Sequence, residues 1–150
     1  MFPGNAYEQH LLQRAAAGDP VALTAPGVLE ITYGLARKGA SVATGLRWFT
    51  RLAVSELLVV TLPFDAAAAV AAGRLRAAQA TPPTGARRGG SRAEQRAGWV
   101  LDLQIGACAW VHGHAIATHN RRDFAAIRDL IAALYPSTPP LAVTGPPDVA

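Results

Sequence analysis

Asp102-Leu-Gln-Ile-Gly-Ala-Cys-Ala-Trp-Val-His-Gly113, followed by His114-Ala-Ile-Ala-Thr118-His-Asn120-Arg-Arg-Asp123-Phe124, is the stretch on which the fold turns. Its first half is small and apolar and predicts a helix from about Glu94 to His112, closed by Gly113. Ala115–Thr118 reads as a strand, Asn120 to Asp123 as a turn, and Phe124–Leu134 as a helix capped by Asp123. Asp102 is out of character in this run. Aspartate competes with the backbone for hydrogen bonds and is a poor helix-interior residue. An unpaired buried carboxylate also costs several kcal/mol, so Asp102 is expected to face water, a cation or a site.

The same alternation continues upstream. Asn5-Ala6-Tyr7-Glu8 has the form of a capping box, and the helix it opens should run through Leu11, Leu12 and Ala15 to Gly18. Val21–Thr24 predicts a short buried strand, Pro26 suits a first helical turn, and a helix follows from about Val28 to Lys38. Val42, Leu46, Phe49 and Ala53 recur at helical spacing before a strand at Leu57–Leu62. Asp65 is a natural cap for an alanine-rich helix, Ala66–Ala80, and Thr81–Ser91 carries the proline and glycine of a loop. Leu141–Val143 is a candidate last strand. Strands separated by helices predict an α/β fold, a parallel sheet with helices on both faces. Such sheets bind ligands at the carboxyl ends of their strands. No glycine-rich phosphate loop follows any strand, which argues against a nucleotide fold.

Composition sets outer bounds. At 150 residues, 51% hydrophobic and 16% charged, the chain has the make-up of one globular domain. The run Leu57–Leu62 is too short to span a bilayer, and no basic-apolar-small leader opens the sequence. The expectation is therefore a cytoplasmic protein without a membrane anchor. Cys108 is the single cysteine, which removes internal disulfides and multi-cysteine zinc sites. The formal net charge is +4. Arg87, Arg88 and Arg92, with Arg96 close by, form a basic patch suited to the phosphates of a nucleic acid, or else a solvated loop.

Taken singly, the acids have plain explanations. Glu30 and Asp123 fall near helix N-termini, where the macrodipole favours them by roughly 0.3–1 kcal/mol. Taken with Asp102, which lies inside a helix, they are acids that would repel if gathered at one sheet edge unless a cation neutralised them. Such a set suits magnesium or manganese rather than zinc. His112, His114 and His119 are a competing zinc set. A strand from Ala115 would hold His114 and His119 apart, and His112 already has a dipole reason to end a helix.

The run from Asp102 to Phe124 resembles the C-terminal signature of PIN-domain ribonuclease toxins of the VapC type, in which Thr-x-Asn-x-x-Asp-Phe closes the motif. Thr24-Ala-Pro-Gly-Val-Leu-Glu30-Ile-Thr-Tyr-Gly34 is similar to the family's second motif. The resemblance covers roughly Asn5 to Leu134. It implies a PIN-like domain over residues 1–136 and a Pro-rich tail over 137–150. It further implies a magnesium-dependent endoribonuclease acting on RNA phosphodiesters, with Glu30, Asp102 and Asp123 as metal ligands. Thr118 and Asn120 would be the polar residues that orient the site. As a toxin component, the chain would have an RNA substrate, a cognate antitoxin protein and room for a homodimer. One departure stands out: the family's central first strand, which ends in the first catalytic aspartate, has no counterpart between Met1 and Asn5. The expectation is that the true start lies upstream or that the copy has decayed. The second case makes the chain an inactive PIN remnant that only binds an antitoxin or a sister toxin.

Overall fold

The computed structural model describes residues 6–37, 59–83 and 90–145. Among these residues lie five helices and four short strands, a mixed α/β architecture. The chain divides after Leu62 into two compact units. In the first, α1 (Ala6–Ala16) leads to β1 (Val21–Thr24), α2 (Ala25–Arg37) and β2 (Val59–Leu62). The second holds α3 (Ala66–Ala78), α4 (Arg92–Val111), β3 (Ile116–Ala117), α5 (Arg121–Leu134) and β4 (Val143–Thr144).

Each unit contains one parallel strand pair. β1 pairs with β2 in the register Val21 to Val59 and Thr24 to Leu62. β3 pairs with β4 in the register Ile116 to Val143. Parallel strands require a long crossover between them. In the second unit that crossover is α5, and in the first it includes α2. The expected single sheet is thus present, among the described residues, as two separate two-stranded sheets. Two- and four-residue strands form few ladder bonds, so helix packing carries most of the organisation.

In the first unit, α1 ends in a Schellman motif. Gly18 takes φ +75 and the Asp19 amide returns to the Arg14 carbonyl at 2.9 Å. A small apolar cluster of Leu11 and Val59, backed by Ala15, Val21 and Leu23, joins α1 to the strands. The Thr24 hydroxyl accepts from the Gly27 amide at 3.1 Å and so caps α2 directly. The capping residue Asn5, the Glu8 side chain, the helix expected around Val42–Ala53 and the start of the strand at Leu57 lie outside the described residues.

The second unit has the larger described core. Asp65 caps α3 by accepting from the Ala68 amide at 2.9 Å, as its sequence position suggests. Ala68, Ala71, Ala72 and Leu75 form a buried stripe with helical spacing, against which α4 packs closely. Trp99, Leu103, Ile127, Ile131 and Leu141 are almost completely buried, and each such aliphatic side chain contributes about 1.5–3 kcal/mol. Trp99 also donates its indole N–H to the Gln79 carbonyl at 2.9 Å. Trp110, on the same helix, is half-buried instead and donates to the Pro139 carbonyl at 2.8 Å.

Three boundaries differ from expectation. α4 begins at Arg92 rather than Glu94, because Ser91 and Glu94 form a reciprocal capping box. α5 begins at Arg121, so Asp123 lies inside its first turn and is not its cap. Asn120 holds the cap position, but its side chain makes no capping bond. The last strand is Val143–Thr144, shifted to stay in register with Ile116–Ala117.

Candidate functional site

Asp102 lies on the buried stripe of α4, one turn beyond Trp99 and beside Leu103, and is only 6% exposed. The chain after α4 brings its partners back to it. Gly113 takes φ +74, its amide bonds to the Trp110 carbonyl at 3.0 Å, and the His114 amide returns to Ala109 at 2.9 Å. This Schellman motif reverses the chain into β3. β4 then holds β3 in place, with the Thr118 amide donating to the Thr144 carbonyl at 3.0 Å.

Beyond β3, the Thr118 hydroxyl accepts from the Asn120 amide at 3.0 Å, a local bond typical of threonine in turns. The Asn120 backbone carbonyl accepts from Phe124 at 3.3 Å as α5 starts. The Asn120 side chain makes no capping bond to its own helix. Its amide nitrogen donates to Asp102 Oδ2 at 3.1 Å and to Asp123 Oδ2 at 3.1 Å. The two carboxylate oxygens are therefore separated by no more than twice that distance. Asp123 is 2% exposed, whereas Asn120 is exposed.

A glycine one turn along sets this approach. A Cβ built on Gly106 would stand 2.7 Å from Ile127 Cγ2, closer than packed atoms tolerate. Gly106 follows Asp102 by four residues and Ile127 follows Asp123 by four, one helical turn in each case. Two successive levels therefore match, and α4 and α5 run locally in the same direction. Sequence reading passed over Gly106 and Ile127 as site-building residues. The signal was present as a glycine on the face of Asp102 one turn on.

Electrostatically, two carboxylates within about 6 Å repel by about 3 kcal/mol at an effective dielectric near 20. The Asn120 amide gives each of them one hydrogen bond, and hydrogen bonds to charged groups are worth about 1.5–3 kcal/mol. The donor set is oxygen only and suits a hard divalent cation. Among the described residues, no group of three or more His, Cys, Asp or Glu is placed to hold a metal ion.

Of the residues singled out in the sequence, Thr118, Asn120, Asp102 and Asp123 form one connected cluster at the carboxyl end of a parallel strand pair. Glu30 belongs to the first unit, exposed in the second turn of α2. Arg92 opens α4 and is exposed, while Arg87 and Arg88 lie outside the described residues. His112 directs Nε2 at the Pro63 carbonyl, 3.0 Å away, and toward Asp65 at 3.6 Å. A cavity of about 590 Å³, lined by Trp110, His114, Pro139 and Leu141, lies at the start of β3 and away from the acids. No helix among the described residues is long and apolar enough to cross a membrane.

No family model, curated protein or solved structure matches the chain.

Proposed function

We propose that this chain is a PIN-like ribonuclease domain of the VapC toxin type, cutting RNA phosphodiesters with the help of magnesium or manganese. The observation that carries this reading is the Asn120 amide joined to two buried carboxylates, Asp102 and Asp123, at a strand-to-helix corner. Two buried carboxylates held side by side offer oxygen ligands to a hard divalent cation. Asp102 and Asp123 would hold the ion, and Glu30 is the third acid of the proposal. When bound, such an ion supplies Lewis acidity toward a phosphodiester. The chain's own residues do the rest. Thr118 fixes the Asn120 backbone, Asn120 fixes the two carboxylates, and Arg87, Arg88 and Arg92 are proposed to contact RNA phosphates without reading bases. A cognate antitoxin and a second copy of the chain are the proposed protein partners.

A second reading is an inactive PIN-like remnant that binds an antitoxin only. Incubating the chain with structured and unstructured RNAs in magnesium, manganese and chelator separates the two. The ribonuclease reading expects cleavage that needs the metal and falls to the chelator level in Glu30→Gln, Asp102→Asn and Asp123→Asn. Absence of cleavage in every metal by the parent chain would overturn it in favour of the remnant.

A further inference from the structure

We propose that one end of the second unit, where α3 finishes and α4 and α5 begin, is a surface for the phosphate backbone of an RNA strand. Arg76, Arg92, Arg96, Arg121 and Arg122 form it. The choice of RNA rests on the ribonuclease reading above, whereas the surface itself does not.

Packing brings the five arginines to this end. The Trp99 indole bonds to the Gln79 carbonyl at 2.9 Å, so the last turn of α3, with Arg76, lies beside the first half of α4. Pro63, which precedes α3, is held at the opposite end by Cys108 and His112. Asp102 lies level with Asp123, and Gly106 with Ile127, so α5 starts part-way along α4 and runs the same way. Along the two helices, Arg121 stands about 3 Å before the acids, Arg96 about 9 Å and Arg92 about 15 Å, at about 1.5 Å per residue. All five arginines are exposed.

Their placement runs against the helix macrodipole. In α1, α2 and α3 an arginine stands in the last turn, where the carbonyl end favours a cation: Arg14, Arg37 and Arg76. α4 and α5 have no basic residue in their last turns and begin with arginine instead. A cation at a helix start is disfavoured unless an anion answers it. Among the described residues, Arg92, Arg96 and Arg121 form no ion pair. The exposed acid at this end, Glu94, accepts from the Ser91 amide and hydroxyl. Asp65 lies at the far end of α3, and Asp129 pairs with Arg128. Positive charge gathered against the dipole, with little local acid, fits an external polyanion.

The chemistry of the surface favours a nucleic-acid backbone over a lipid or protein partner. Arginine matches phosphate oxygens with paired N–H donors. The exposed large apolar side chains among the described residues lie on α1, α2, β2 and the first half of α3, with none on α4 or α5. This end therefore lacks the apolar face that seats a basic helix in a bilayer and the aromatic anchors of a protein interface.

The test is fluorescence anisotropy of a labelled unstructured RNA with the full chain, in chelator so that no cleavage intervenes, across a salt titration. The parent should bind unrelated RNA sequences alike, with affinity falling as salt rises. Arg92→Gln/Arg96→Gln/Arg121→Gln should bind about 10-fold more weakly or worse at low salt. Its log–log salt slope should be shallower by about 2, at about 0.7 per phosphate contact. The charge-matched control, Arg14→Gln/Arg37→Gln/Arg128→Gln, should keep the parent's affinity. Equal losses in the two triples would show that net charge alone attracts RNA, and would overturn the surface. So would tighter binding to phosphatidylserine vesicles than to RNA, or no RNA binding at low salt. The melting temperature of the first triple should not fall, because its arginines sit where the dipole disfavours them. A fall would make them structural residues and overturn the proposal. Arginine-dependent binding without cleavage in magnesium or manganese keeps the surface and removes the ribonuclease reading. Metal-dependent cleavage by a parent whose first triple binds RNA equally well does the reverse.

Discussion

Two strand-to-helix corners in this molecule begin alike and end differently. A threonine stands at each strand-to-helix junction, Thr24 as the last residue of β1 and Thr118 just after β3. Thr24 spends its hydroxyl on the Gly27 amide, so α2 starts at once and Glu30 arrives in its second turn, exposed. Thr118 spends its hydroxyl on the Asn120 amide, so α5 starts three residues later. That delay leaves room for Asn120 to reach inward and places Asp123 in a buried first turn. One residue type thus serves as a plain helix cap at one corner and as the support of a polar cluster at the other. A strand end becomes a site when its first hydrogen bond shapes a loop instead of closing a helix.

The sharpest way to break the second corner without touching a polar atom is Gly106→Val. The added side chain meets Ile127 Cγ2 and forces α4 and α5 apart. A loss of about 1–3 kcal/mol in denaturant unfolding is expected, together with release of the Asn120 side-chain resonances. Unchanged stability would mean that the close helix approach does not build the site.

The threonines come next. Thr24→Val should cost about 0.5–2 kcal/mol as a lost cap, with recovery in Thr24→Ser and no change at Asn120. Thr118→Val should cost about 0.5–1.5 kcal/mol and also disturb the Asn120 side-chain resonances. Equal spectra for the two variants at Asn120 would erase the distinction between the corners.

The smallest expected effect is a gain. Gly34 in α2 has nothing within 4 Å of an added Cβ, unlike Gly106 in α4. Gly34→Ala should therefore raise stability by roughly 0.5–1 kcal/mol through backbone entropy and helix propensity. A loss on thermal unfolding would show that the glycine in this corner has a contact partner after all.

Much of the second corner was legible in the sequence. Asp102 stood out as a poor helix residue in an apolar run, and Thr118, Asn120 and Asp123 stood out through their spacing. Their roles were less legible. Asp123 read as a cap because an aspartate before an apolar helix usually is one, yet Asn120 takes that position and Asp123 is buried behind it. Side-chain alternatives of this kind differ by about a kcal/mol locally, too little for local sequence to choose between them. The capping box at Ser91 and Glu94 was missed for a simpler reason. The surrounding arginine- and glycine-rich composition reads as loop, which hides the first turn of α4.

The sequence by itself determined the order of helices and strands among the described residues, the helix stops at Gly18 and Gly113, and the acids that stand out from their apolar surroundings. These follow from short-range physics: side-chain periodicity, capping chemistry and the freedom of glycine at positive φ. Tertiary structure alone decided that Asp102 and Asp123, twenty-one positions apart, share one amide hydrogen-bond donor. That meeting depends on Gly113 turning the chain back, on β4 anchoring Thr118, and on the missing side chain at Gly106 letting Ile127 draw α5 against α4. Each is a contact between distant segments, and its energy exists only once the segments have packed.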